Sequence, residues 1–181
     1  MPAASSLVSL HILVWTALMA ALIAVGSFLS LPIGPVPFTM QVFFVMLAGF
    51  LLGWPHGMAA VLLFVAAGTI GLPVFAGGRS GLAVLLGPTG GYIFGFVLAA
   101  GSIGLLIRKR CPGWILGFAA GLLGLTVIYF CGLLQLMHVL QVGWERALAV
   151  GFLPFIFQDL FKMAMAVVAW RILHRRGWLP R

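Results

Sequence analysis

Hydrophobic residues occupy this chain in long runs, and its polar residues gather in the gaps between them. The first run, residues 8–29, is long enough for a membrane helix, which needs roughly 20 apolar residues. It ends at Ser30-Leu31-Pro32-Ile33-Gly34-Pro35-Val36-Pro37, where the prolines exclude regular helix. A second run, 39–52, closes at Gly53-Trp54-Pro55-His56-Gly57, and a third, 58–70, stops at Gly71-Leu72-Pro73. At 1.5 Å per residue neither crosses roughly 30 Å of hydrocarbon as a straight helix, so tilt, irregular backbone or burial within a bundle is expected. Residues 75–92 are the most polar and glycine-rich stretch, and further spans are expected at 93–107, 114–140 and 147–172. The pattern predicts an all-α integral membrane protein. Six transmembrane helices form one bundle and a single domain over 1–181, with an irregular Gly/Pro-rich outer segment between spans three and four.

Composition removes the soluble alternatives. Hydrophobic residues make up 64% of the 181 and charged residues 7%, against about 25% charged in soluble domains. Mean hydropathy is +1.24, and no Asp, Glu, Lys or Arg precedes Arg79. A net charge of +8 would suggest nucleic acid in a soluble protein. Here the basic residues sit where spans end and report topology, so no nucleic-acid partner is expected and the lipid bilayer is. With six spans, Arg108-Lys109-Arg110 shares one side with Arg171, Arg175, Arg176 and Arg181, against Arg79 and the Glu145-Arg146 loop on the other. Positive charge accumulates on the cytoplasmic side, so both termini are expected in the cytoplasm of a multi-pass inner-membrane protein, with 75–92 facing outward. The first run has no preceding Lys or Arg and is read as a span rather than a cleaved signal peptide. On one continuous helix Cys111 and Cys131 would stand about 30 Å apart, too far for a disulfide, so free thiols are expected.

A few polar residues stand where a bilayer penalises them. Asp159 and Lys162 lie near the middle of the sixth span at a spacing that puts them on one helix face. Each charge at a helix centre costs roughly 3 kcal/mol on insertion scales, so the pair must face a protein interior or a wet cavity. It can be a salt bridge that locks the bundle or part of a polar ligand site. Pro154, five residues earlier, is expected to bend the span. Gly77-Gly78 and Gly90-Gly91 allow close backbone approach, while Arg79 adds a cation and Thr89 and Tyr92 add hydroxyls. Thr39 and Gln41 are the polar side chains at the entry to span two, able to bond each other, the backbone or a ligand. Ala17 with Ala21, and Ala20 with Ala24, repeat a small residue every four positions, a pattern for close helix packing within the chain or against a membrane partner. His56, His138 and His174 are too scattered to ligate a metal, and neither Lys109 nor Lys162 sits in a nucleotide-binding glycine frame.

Together, Gly34-Pro35-Val36-Pro37 with Thr39 and Gln41, Gly71-Leu72-Pro73-Val74-Phe75-Ala76-Gly77-Gly78, Gly87-Pro88-Thr89-Gly90-Gly91-Tyr92 with Gly95-Phe96, and Asp159-x-x-Lys162 resemble the biotin-binding S components of energy-coupling factor transporters, the BioY family. The resemblance covers nearly the whole chain. It implies a six-helix subunit that captures biotin from outside and works with a transmembrane coupling protein and a pair of ATP-hydrolysing subunits, with no catalysis and no cofactor of its own. It also makes Ala17, Ala20, Ala21 and Ala24 a docking face for the coupling protein. The candidate biotin-binding residues are Asp159, Lys162, Arg79, Gly78, Phe75, Tyr92, Thr89, Gly91, Gln41 and Thr39. An ionised Asp159 suits the ureido N–H groups, Lys162 or Arg79 suits the carboxylate, and Phe75 and Tyr92 suit the ring and chain. An S component for another small vitamin fits the same scaffold. An intramembrane enzyme with Asp159 as base, aided by His138 or Tyr92, and a scaffold protein with a purely structural ion pair are the readings from other classes.

Overall fold

No charge interrupts residues 2–28, and in lipid every backbone amide must find its partner within the chain. The computed structural model accordingly has a first helix, α1, at Pro2–Phe28. The structure describes residues 2–32, 34–107 and 113–176, with side chains from residue 10 onward. Ile33, the Arg108-Lys109-Arg110 cluster, Cys111 and Arg181 lie outside the described residues. Cys131 is a free thiol. The proline-rich connection after α1 is held at its base by two short antiparallel strands, β1 (Ser30–Leu31) and β2 (Phe38–Thr39). Ser30 pairs with Thr39 and Leu31 with Phe38. The Met40 N–H donates to the Gly26 carbonyl at 3.0 Å, seating the connection on the end of α1.

The second helix, α2, runs through Gln41–Thr69, across the 53–57 stretch where the sequence suggested a boundary between spans. It is not straight. Gly53 has φ 75° and ψ −177°, a backbone state open to glycine and outside the helical range. A Cβ placed on Gly57 would stand 3.1 Å from the Ala48 oxygen and from the Gly49 Cα. On a straight helix those positions would be about 12–13 Å away, so the two arms turn back on each other at Gly53. Pro55 falls in the first turn of the second arm, where a missing amide hydrogen costs no helical bond.

Residues 70–89 carry a short helix, α3 (Leu82–Leu86), and are followed by α4 (Gly90–Ile107), α5 (Trp114–Leu140), α6 (Trp144–Gly151) and α7 (Ile156–Arg175). The helices α6 and α7 meet at 54° across Phe152, Leu153, Pro154 and Phe155. Proline there supplies no amide to continue the ladder, which accounts for the bend. In the packing order α1 lies on α2, α2 on α4 and α4 on α5, while α7 touches both α2 and α5. Small residues set the closest approaches: a Cβ on Gly95 would stand 2.8 Å from the Ile128 Cα, and one on Gly104 would collide with the Trp54 amide nitrogen. Large apolar side chains such as Leu13 (64% exposed), Phe130 (61%) and Phe157 (80%) point outward as a lipid-facing surface. Among the described residues four helices are long and apolar enough to cross a bilayer, and the bent α6–α7 pair makes a fifth, so this is a multi-pass membrane protein.

The alanines of α1 do not share one face. Ala17 and Ala21 are exposed, Ala24 is half-buried, and Ala20 is in the core at 6% exposure. At 100° per residue, Ala21 lies about 40° to one side of Ala17 and Ala20 about 60° to the other. That rotation puts Ala20 against α2, and the expectation that it belongs to an outward docking face is corrected.

Because the Gly104 Cβ position is filled by the α2 reversal, Gly104→Ala should destabilise the detergent-solubilised protein by about 1–3 kcal/mol. Gly143→Ala, with open space at its Cβ, should cost less, no more than about 1 kcal/mol from its N-cap position. Equal midpoints for the two variants would contradict the packing of α4 on the reversal.

Candidate ligand site

The break between α6 and α7 determines where the buried charges fall. Asp159 lies in the first turn of α7, not mid-helix, and Lys162 follows one turn later on the same face. A carboxylate in a first turn is favoured by the positive end of the helix dipole. The two residues are 5% and 3% exposed, and Lys162 Nζ stands 2.8 Å from Asp159 Oδ1. Lys162 also donates to the Thr39 carbonyl at 2.7 Å and lies 3.7 Å from the centre of the Phe38 ring. Its ammonium therefore ties β2 to α7, with each of three directions engaged. From α5, the Tyr129 hydroxyl donates to Asp159 Oδ2 at 2.6 Å. Both carboxylate oxygens thus accept one bond from protein and keep lone pairs to spare.

The second tyrosine serves the break itself. The Tyr92 hydroxyl, on α4, donates to the Gly151 carbonyl at 2.9 Å, at the end of α6. Its proton is therefore spent on backbone, and its ring meets Tyr129 edge-on at 6.4 Å. The Phe152 ring packs edge-on against the other side of Tyr129 at 4.8 Å.

The opposite wall comes from residues 70–89. Phe75 is 1% exposed, its ring resting where Gly68 lacks a side chain and meeting Phe64 edge-on at 5.5 Å. The chain then reverses through Gly77 (φ 75°) and Gly78 (φ 69°), so that Phe75 and Arg79 form an antiparallel bridge. Arg79 is exposed at the rim, its Nε donating to the Ala76 carbonyl at 3.0 Å. Ser27 of α1 donates to the Val74 carbonyl at 2.5 Å, and Gln135 Nε2 of α5 donates to the carbonyls of Leu85 (2.7 Å) and Gly87 (2.8 Å). These bonds pin both ends of the wall.

Between these elements lies a cavity whose floor is the Asp159–Lys162 pair. It measures about 60 Å³ in the space open to the centre of a water molecule, several times the roughly 10–15 Å³ one water needs. Of the candidate residues, Asp159, Lys162, Arg79, Phe75, Tyr92, Thr89, Gln41 and Thr39 line it. Gly78 and Gly91 do not. Gly78 acts through its turn, and Gly91 lies under α5, where a Cβ would collide with the Cys131 carbonyl oxygen. Thr39 and Gln41 bond each other, Oγ1 to Oε1 at 3.2 Å. Sequence reasoning missed Tyr129, Phe38 and Phe155, which also line the cavity. Tyr129 carried a usable signal, since the chain has two tyrosines and a buried hydroxyl in a membrane helix must find a partner. The described residues hold no group of three or more His, Cys, Asp or Glu able to bind a metal.

Comparison with known proteins gives the chain's family. The family model described as "BioY family" matches residues 2–177. A biotin transporter BioY from Thermotoga maritima is 46% identical over 157 residues, covering 86% of this chain and 91% of its own. A probable biotin transporter BioY from Pyrococcus horikoshii is 45% identical over 152 residues, covering 84% and 89%. A crystal structure of the S-component for biotin from an ECF-type ABC transporter superposes with a TM-score of 0.86 at 32% identity, covering 92% of each chain. With a family model spanning nearly its full length and relatives this similar, the chain belongs to the BioY family.

Proposed function

We propose that this chain is the substrate-specific subunit of an energy-coupling factor transporter and captures biotin for uptake across the cytoplasmic membrane. The observation that carries the reading is the buried Asp159–Lys162–Tyr129 cluster on the floor of a mostly apolar cavity. Its relatives carry the name biotin transporter.

The ligand's chemistry fits the cavity from floor to rim. The ureido ring has two N–H donors, and Asp159 retains acceptor capacity for them after bonding Lys162 and Tyr129. Lys162 is spent on Asp159, Thr39 and Phe38, so its role is to neutralise and orient the carboxylate. That leaves Arg79, exposed at the mouth, to pair with the biotin carboxylate. The apolar ring and chain lie along Phe75, Tyr92 and the neighbouring aliphatic residues, with Thr89 at the wall. Gly78 and Gly91 contribute shape, by the Arg79 turn and by the seating of α4 on α5.

In the membrane we count six passages: α1, the two arms of α2, α4, α5 and the bent α6–α7 pair. The Gly53 reversal supports counting α2 twice. An even count puts both termini on the cytoplasmic side under the positive-inside rule, and residues 70–89 outside. Ala17 and Ala21 lie on the exposed face of α1 with Val14, Leu18 and Val25, and this face is our candidate for docking the transmembrane coupling protein. A pair of ATP-hydrolysing subunits completes the transporter.

Isothermal titration of the detergent-solubilised chain should give saturable biotin binding, weakened about 10- to 100-fold by Asp159→Asn through loss of a charge-assisted acceptor. Undiminished affinity in both Asp159→Asn and Lys162→Ala would overturn the site. Arg79→Ala should weaken biotin but leave biotin amide, which lacks the carboxylate, within about twofold. Equal losses for both ligands would remove Arg79 from the carboxylate. Finally, Ala21→Trp should abolish biotin uptake by cells expressing the whole transporter while the purified subunit still binds biotin. Normal uptake would place the docking surface elsewhere.

A further inference from the structure

We propose that Gln41 is the specificity-determining residue that recognises the hydrogen-bond acceptor of the ligand, the ureido carbonyl oxygen. The inference rests on the biotin reading above and adds a role it does not assign. Gln41 opens α2, is 5% exposed and lines the cavity. The Thr39 hydroxyl oxygen accepts the Gln41 backbone N–H at 3.3 Å, which leaves its own proton to donate to Gln41 Oε1 at 3.2 Å. The amide nitrogen therefore points away from Thr39. Among the described residues, Gln41 Nε2 is the buried side-chain nitrogen or oxygen without a hydrogen-bond partner.

A buried unpaired donor is rare in native proteins and calls for a partner. The other polar groups of the cavity floor have theirs. Asp159 accepts from Lys162 and Tyr129, the hydroxyls of Tyr129 and Tyr92 donate to Asp159 and Gly151, and Lys162 is fully engaged. A cyclic urea presents two N–H donors flanking one carbonyl acceptor. Asp159 answers the donors. The buried donor left to answer the acceptor is the Gln41 amide, whereas the Thr89 hydroxyl is half-buried on the wall and the Arg79 guanidinium is exposed at the rim.

The test is titration of the full-length chain in detergent with biotin and with 2-iminobiotin, whose protonated guanidinium-like group presents donors in place of the urea oxygen. Wild type should prefer biotin by about tenfold or more, the scale of one hydrogen bond to a buried donor. Gln41→Leu should lose about tenfold for biotin and change iminobiotin by less than threefold, which also reports that the variant is folded. Gln41→Glu keeps an oxygen for Thr39 and presents an acceptor, so it should weaken biotin and tighten iminobiotin. Biotin affinity within twofold of wild type in both variants would overturn the inference while leaving the biotin function intact. Equal losses for both ligands in both variants would reduce Gln41 to a structural role and overturn it as well. A wild-type chain that binds no biotin would overturn the functional reading and this inference together.

Discussion

Asp159 and Lys162, 2.8 Å apart and almost wholly buried, impose the requirement that the rest of the site satisfies. Two opposite charges removed from water cost several kcal/mol each unless their geometry is good and their remaining valences are filled. Three separate elements fill them here. The α5 helix sends Tyr129 to one carboxylate oxygen, β2 offers the Thr39 carbonyl to the ammonium, Phe38 covers the ammonium with its ring, and the start of α7 supplies a favourable dipole. An ion pair held this way is weak evidence for added stability, because an apolar pair of equal volume often does as well. Its presence is better explained by what it leaves available: lone pairs on a carboxylate at the bottom of a mostly apolar cavity.

The interruptions in the helices exist for that cavity. The break at 152–155 lets α6 and α7 meet at 54°, and Tyr92 takes up the Gly151 carbonyl at that junction. The reversal at Gly53 brings the second arm of α2 back against the first, which begins at Gln41. The Gly77-Gly78 turn folds Arg79 back over Phe75 at the rim. Irregular backbone at membrane depth persists where it is buried in protein or lines a cavity, and the α6–α7 break borders the cavity through Gly151 and Phe155 while Leu153 and Pro154 stay exposed. The chain thus places its acceptor at the bottom, its apolar surface in the middle and its one exposed cavity-lining cation, among the described residues, at the mouth.

How far the sequence alone reveals this depends on residue rarity. Asp159, Lys162 and Arg79 were legible because charges are scarce in a membrane chain, and the three line one cavity. Pro154 announced the bend, since a missing amide is a local property. Tyr129 was overlooked because its importance lies in which way α5 is rotated, and a run as uniformly apolar as 114–140 carries no periodicity that sets a rotation. The same ambiguity misplaced Ala20: small residues at four-residue spacing occur on two adjacent stripes of α1, and the spacing does not say which stripe faces α2. At 53–57 the sequence indicated an interruption, but a single glycine in a left-handed conformation achieves the reversal with less irregular chain than five residues suggested.

We propose that the buried pair is there for a ligand. This is tested most directly by purifying the chain from cells grown with biotin, denaturing it, and quantifying the biotin released per mole of protein. Wild type should release close to one biotin per chain, and Asp159→Asn far less at equal folded yield. Folded wild-type protein that releases no biotin, and takes up none when biotin is added back, would contradict the proposal.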